Sequence, residues 1–458
     1  MPVSGYFHSV TLDESLCKGC TNCIKRCPTE AIRVREGKAH IIEERCIDCG
    51  ECIRTCTNHA KTALTDGFER LDDFEYKIAL VPPAFMGLWR PNGEGSTALA
   101  ALLRLGFDQV FEVAVAADVV ADACKLIIQS GKFARPAISS ACPAVIRLMQ
   151  VRYPTLIPNL IPIEAPVEIA AHMAKKQAQQ LTNIPRHKIG AFFITPCPAK
   201  VTAIKQPVGR QTSDLDGALS AAMIYGSIAK VLSETQELPK INLYGTPRGM
   251  RWGYAGGEAE SVQPTSTLAV DGIHNVSSVL DEVERGRLSD IDFIEAQACV
   301  GGCLGGCLMS QNPYVGKLRL QKAAAAFGAG EQIVSLEEAR QLYEQGELGF
   351  DTPIEPRPVM KLAPDLSRAL EMMKTIETTV EMLPGLDCGA CGSPSCRSLA
   401  EDIARGRALT TDCIFLLRER VRELAEEMVD LARKVPPAMG QQNDQPKREG
   451  GGGVPNDG

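Results

Sequence analysis

Apolar and polar positions change texture along this chain. From about residue 76, short unbroken apolar runs recur: Lys77-Ile-Ala-Leu-Val81, Gln109-Val-Phe-Glu-Val113 and Lys188-Ile-Gly-Ala-Phe-Phe-Ile194. Runs without polar alternation predict parallel strands covered on both faces. Helical stretches, Ser96 to Leu105 and Val167 to Gln180, lie between them. This alternation predicts an α/β domain. Its predicted strand ends run into Val81-Pro82, Cys142-Pro143 and Pro196-Cys197-Pro198. Ligands of open α/β sheets bind outside such carboxyl ends.

The pattern differs on either side. The first 75 or so residues read as a duplicated α+β unit, each half a strand, a cysteine loop and a short helix. After Pro358 a helix is predicted from Pro364 to Glu381, with proline at its first position, where no backbone donor is needed. A second helix starts at Arg397. Then Ile414, Leu417, Val421, Leu424, Met428, Leu431 and Val435 recur in steps of three and four, a heptad seam stopped by Pro436-Pro437. The Gly-, Pro-, Asn- and Gln-rich residues beyond predict a disordered tail over 436–458.

Composition narrows the function classes. The 458 residues suggest about three domains. Hydrophobic content is 45% and aromatic content 5%, so aliphatic side chains fill the cores. The net charge of −7 argues against nucleic acid as a partner. No basic, then apolar leader opens the chain, and no run has the length of a membrane helix, so a soluble cytoplasmic protein is expected. Cysteines are kept reduced there, and this many are metal ligands before they are disulfides.

Sixteen of the eighteen cysteines fall into four groups of four. Cys17, Cys20, Cys23, Cys27 and Cys46, Cys49, Cys52, Cys56 both read C-x2-C-x2-C-x3-C, the bacterial ferredoxin spacing for cubane clusters. In such folds the last cysteine of each run ligates the other cluster. One cubane is therefore assigned to Cys17, Cys20, Cys23 and Cys56, the other to Cys46, Cys49, Cys52 and Cys27. Zinc, the alternative, takes paired knuckles rather than triply spaced runs. A third group is Cys388, Cys391, Cys396 and Cys413. The fourth is dispersed: Cys142 in Ser139-Ser-Ala-Cys-Pro143, Cys197 in Thr195-Pro-Cys-Pro-Ala-Lys200, and Cys299 and Cys303 in a glycine-rich loop. Glycines there let backbone approach a bulky inorganic group.

These three segments, in this order, resemble the signatures of the FeFe-hydrogenases, approximately TSCCPxW, MPCxxKxxE and ExMxCxxGCxxGG. The resemblance spans essentially the whole chain. It implies that Cys142, Cys197, Cys299 and Cys303 hold a 4Fe–4S cube. Cys303 would also bridge to a two-iron subsite carrying CO, cyanide and a bridging dithiolate, the whole being the H-cluster. Lys200 would donate to a cyanide, Pro82 matches a proline near the cofactor, and Tyr254-Ala-Gly-Gly257 resembles a pocket-lining loop. The implied domains are a two-cluster ferredoxin-like domain over 1–75, an H-cluster domain over 76–360 and a small helical 4Fe–4S domain over 361–435, giving three cubanes besides the H-cluster.

The departures from that pattern bear on function. Ala141 stands where catalytic members carry a proton-passing cysteine. Cys124 and Ile127 fall where two relay glutamates are expected, and Ile161 or Pro162 where a serine is. Pro83, Val145, Thr195, Ala203 and Gln297 replace further signature residues. Proton transfer needs a titratable group within hydrogen-bond reach or one water away. The chain is thus similar to the sensory FeFe-hydrogenases, which implies that it binds dihydrogen or carbon monoxide, turns over slowly, and reports hydrogen or redox state to a signalling protein or redox partner. The heptad helix is a candidate homodimer seam. The alternatives are a ferredoxin-linked hydrogenase with another proton route, in which Cys124 is a candidate, and a non-enzymatic iron–sulfur scaffold. Cys307 has no assigned role.

Overall fold

The computed structural model describes residues 7–234, 237–239, 241, 243–326 and 333–434. Val435 and the expected tail lie outside them.

The N-terminal unit pairs β1 (Val10–Leu12) with β4 (Lys61–Ala63) and forms a hairpin of β2 (Ile32–Arg35) and β3 (Lys38–Ile41). Short helices α1 (Asn22–Lys25) and α2 (Glu51–Arg54) follow the two cysteine loops. Asp48 ties this unit to the next one. Its carboxylate, fully buried, accepts from Ser9 N and Val10 N, from Thr202 Oγ1 at 2.9 Å, and faces Arg147 at 3.5 Å.

Tyr76 starts the first strand of the larger sheet. Four parallel strands run in the order β6 (Gln109–Glu112), β5 (Tyr76–Val81), β8 (Ile189–Thr195), β9 (Gly217–Ser220). Side chains alternate across the sheet. Ile78, Leu80, Ala191 and Phe193 enter one core, while Ala79, Val81, Phe192 and Ile194 enter the other. Burial on both faces explains the unbroken apolar runs. A second parallel sheet has the order β10 (Thr267–Asp271), β11 (Phe293–Gln297), β7 (Ala137–Ile138). Helices α3 (Glu94–Leu102), α4 (Val113–Gln129), α5 (Pro143–Arg152), α6 (Pro166–Thr182) and α7 (Pro198–Lys205) cross over and cover the sheets.

The C-terminal region is helical: α8 (Leu366–Met382), α9 (Cys396–Ala404) and α10 (Ile414–Arg433). One expectation changes here. Asp365, not Pro364, starts α8: its carboxylate caps Arg368 N at 2.8 Å, and Pro364 lies outside the helix. The seam on α10 is open to solvent, since no residue of that helix is buried and Leu424 and Met428 are 43% and 71% exposed. No helix among the described residues is long and apolar enough to cross a membrane.

Candidate metal centre at the strand ends

Strands from both sheets end at one cavity of about 80 Å3. β5 delivers Pro82 and Pro83, β8 delivers Cys197 and Lys200, β7 leads to Ala141 and Cys142, and β11 leads to Gln297, Cys299 and Cys303; all of these line it. Four cysteines spread from 142 to 303 in sequence thus meet around one space.

Local chemistry aims each thiol. Cys142 and Cys197 are N-cap residues of α5 and α7, each followed by proline at the first helical position. Thr195 Oγ1 donates to Cys197 O at 2.8 Å and accepts from Cys197 N at 3.2 Å, fixing the turn. Gly302 sits at φ +75°, and a Cβ on it would fall 2.4 Å from Gln297 Oε1 and 2.6 Å from Ala255 N. Only glycine lets the Cys299–Cys303 loop close against that wall.

The donor set suits a metal cluster. Burial raises the Cys197 thiol to about 12, opposed by Lys200 and reinforced by Cys299 and Cys142. Burial likewise raises Cys303, which feels all three other sulfurs, and Cys299, which Arg54 opposes. Four mutually repelling thiols in an apolar enclosure are poor neighbours as free anions. They are a soft four-sulfur donor set for iron.

Two smaller cavities sit in the N-terminal unit. One is lined by Cys17, Cys20, Cys23 and Cys56, the other by Cys27, Cys46, Cys49 and Cys52. Each cavity thus gathers three cysteines of one run and the last cysteine of the other. Lys61, 3% exposed, lines the first cavity, and its Nζ has no hydrogen-bond partner. An unpaired buried ammonium is costly unless a negative group lies beside it, as a thiolate-bound cubane would. His8, Cys46 and Asp48 also bring ligand atoms within 4.8 Å, but both Asp48 oxygens are already engaged. Cys388, Cys391, Cys396 and Cys413 belong to one helical module, in which Cys396 opens α9 and Cys413 caps α10.

Other expected residues divide. Lys200 Nζ donates to Ala141 O at 3.1 Å, at the cavity edge. Tyr254-Ala-Gly-Gly257 does not line the cavity; Trp252 and Gly253 do, and the loop backs onto Gly302. Cys124 and Ile127 lie outside the lining, in the hydrophobic core on α4. Cys307 lies near Cys299, Arg54, Cys197 and Cys52, between the N-terminal unit and the large cavity.

The structure adds a buried carboxyl pair. Ser139 Oγ lies 2.7 and 2.8 Å from the two Glu258 oxygens. Glu295 accepts from Gly256 N, Ala259 N and Gln297 Nε2 at 2.8–2.9 Å. Burial pushes both carboxyls well above the ordinary range, and for Glu258 the charge of Glu295 adds to it. Burial also raises the Cys124 thiol, with Glu258 adding. Glu295 is in the third cysteine signature, two residues before Gln297, but nothing in the linear sequence pairs it with Glu258.

A family model described as "Iron only hydrogenase large subunit, C-terminal domain" matches residues 77–264 and 227–307, together just over half of the chain. "4Fe-4S dicluster domain" matches 9–57 and "Putative Fe-S cluster" matches 383–415. A curated relative, the NADP-reducing hydrogenase subunit HndD of Solidesulfovibrio fructosivorans, is 22% identical over 379 residues, covering 65% of this chain and 64% of that protein. A component of the ion-translocating oxidoreductase complex of Methanosarcina acetivorans is 48% identical over 44 residues, 10% of this chain and 17% of that one. The chain therefore spans less than two thirds of either relative. Among solved structures, an FeFe-hydrogenase HydA1 variant from Chlamydomonas reinhardtii has a TM-score of 0.47 and 18% identity, over 64% of this chain and 99% of that one. None of these three is named as a sensor. With its multiple iron–sulfur motifs and its hydrogenase-type body, the chain belongs to the iron-only hydrogenase large-subunit family.

Proposed function

We propose that Cys142, Cys197, Cys299 and Cys303 hold the cube of an H-cluster, and that the protein binds dihydrogen and carbon monoxide there with slow hydrogen turnover, reporting hydrogen or redox state. The observation that carries this reading is the meeting of four distant cysteines and Lys200 around one apolar cavity. The three other cysteine groups hold one 4Fe–4S cubane each, in a chain divided into domains over 1–75, 76–360 and 361–435. The bound diiron centre would supply an open iron for dihydrogen and a redox couple.

The chain's own residues set the conditions around it. Lys200 keeps a cation at the cavity edge, where anionic ligands gain a charge-assisted hydrogen bond. Pro82, Pro83, Val113, Ala117 and Phe193 exclude water. Ala141 offers no titratable atom at the wall, so a proton leaving the cavity has no direct acceptor there. The expected result of maturing the protein with a synthetic diiron subsite is infrared bands of bound CO and cyanide, with hydrogen oxidation orders of magnitude below that of catalytic members. Absent bands would remove the hydrogenase reading in favour of a simple iron–sulfur carrier.

A second reading, catalysis by another proton route, draws support from Glu258 and Glu295. Gln297 lines the cavity and bonds Glu295, so proton-holding atoms begin one side chain behind the wall. Turnover that matches catalytic members and collapses in Glu258→Gln would establish it. The exposed seam on α10 supports a homodimer or a helical signalling partner. Light scattering, which reads the mass in solution, separates the two.

A further inference from the structure

The C-terminal cysteine module sits against the N-terminal unit, although the two lie at opposite ends of the sequence. Arg33 Nε bonds Asp402 at 2.6 Å with both side chains buried, Arg35 Nη2 bonds it at 3.0 Å, and Arg45 pairs with Glu401. Ser398 Oγ donates to Glu30 at 2.7 Å.

Two hydrogen bonds run from strand β2 to Cys391 and the glycine after it. Val34, whose side chain lines the cavity of Cys17, Cys20, Cys23 and Cys56, donates its N–H to Gly392 O at 2.8 Å. Gly392 directly follows Cys391. It sits at φ +76°, and a Cβ on it would lie 1.9 Å from Val34 O, so this approach requires glycine. Arg35 Nη1 donates to Cys391 O at 3.0 Å. On the same face Gly389, next to Cys388, packs against Ile24 and Lys25, next to Cys23.

The inner end is built alike. Arg54, two residues after Cys52, donates to Cys299 Sγ at 3.4 Å and to Gly305 O at 3.3 Å. Cys49 packs in the same core cluster as Cys142 and Cys197.

We infer that the site of Cys388, Cys391, Cys396 and Cys413 is the outer station of a single electron path, joined through Val34 and Arg35 to the Cys17 site, then to the Cys46 site, and so to the large cavity. This rests on the cluster assignments proposed above. Each step moves one electron: one site is oxidised as its neighbour is reduced, with no proton transferred. A one-electron carrier supplies or drains the outer station, a role dithionite takes in vitro. An interface that served only to hold the module in place would need the ion pairs. It would not need a glycine-dependent backbone hydrogen bond to join a wall of the Cys17 cavity to the residue after Cys391.

The test uses the full chain with its iron–sulfur sites reconstituted and the diiron subsite omitted, reduced with dithionite and followed by electron paramagnetic resonance. The outer site's signal is expected to be broadened by spin interaction with the reduced Cys17 site, and Asp402→Ala to narrow it. Arg35→Ala, at a side chain 30% exposed, is expected to lower the midpoint potential of the outer site, because a cation leaves the Cys391 carbonyl, and Arg35→Lys to restore most of it. A narrow, non-interacting outer signal in the unaltered protein with full iron content overturns the path alone, as does a potential indifferent to Arg35→Ala. Iron content one cubane short, and unchanged by Cys413→Ser, overturns the C-terminal cluster assignment and the path with it.

Discussion

The N-terminal sites and the large cavity hold cysteines in opposite ways. Each N-terminal cavity is lined by three cysteines from one short loop and one from its twin, within a unit of about sixty residues. The large cavity is lined by cysteines from strand ends of two separate sheets. A contiguous motif fixes its own geometry with little help, whereas a dispersed one exists only when the whole α/β body is in register. The dispersed design gains an enclosed apolar space that no single loop could build.

The largest test of this contrast is to remove one thiol from each kind of site. Cys303→Ser should abolish infrared CO and cyanide bands while leaving the resonance signals of the N-terminal cubanes intact. Cys20→Ser should remove one cubane and leave those bands in place. If Cys303→Ser also erased the N-terminal signals, the two regions would not be independent.

Next in size is Glu258→Gln. If the carboxyl pair handles protons for the cavity, hydrogen–deuterium exchange should slow by about 10²-fold, the lower end of the general acid–base contribution. Ala141→Cys should gain less than about tenfold on the same scale, because Cys124 and Ile127 lie in the core where a continuing relay would be needed. Stability should follow the sign of the shift. The folded carboxyl titrates above its unfolded value, so its penalty is absent in acid and grows as pH rises above the ordinary carboxylate range. The thermal midpoint of the unaltered protein should therefore fall more steeply toward alkaline pH than that of Glu258→Gln.

Asp402→Ala leaves Arg33 buried without its strongest partner and should weaken the docked C-terminal module by about 3 kcal/mol, read as earlier proteolytic release on a urea gradient. Lys61→Met should lower the potential of the Cys17 site and Lys61→Arg preserve it, a shift confined to the contiguous site. Smallest is the start of α8, where Asp365→Ala should cost about 1 kcal/mol. Pro364→Ala should stay within about 0.5 kcal/mol, as surface changes away from such features do.

Much of this is legible in the sequence, for reasons that differ by residue. Tyr76–Val81 and Ile189–Thr195 stand out because strands buried on both faces are apolar throughout. That the last cysteine of each run lines the other run's cavity follows from spacing alone. The start of α8 falls two residues from its expected place because Pro364 and Asp365 are both good helix-start residues. Only the Asp365 carboxylate bond to Arg368 N decides between them. The Glu258–Ser139 contact joins residues 119 apart, and no local pattern encodes such a distance. Docking of the two terminal modules is hidden likewise: arginines on a short hairpin read as solvated charge until their carboxylates arrive from elsewhere.

That last pairing sets a timetable for biosynthesis. Arg33 and Asp402 are separated by 369 residues, so the ribosome releases the first long before the second exists. Through that interval Arg33, Arg35 and Arg45 lack the carboxylates that hold them in the finished fold, so docking of the two terminal modules is a late event in folding.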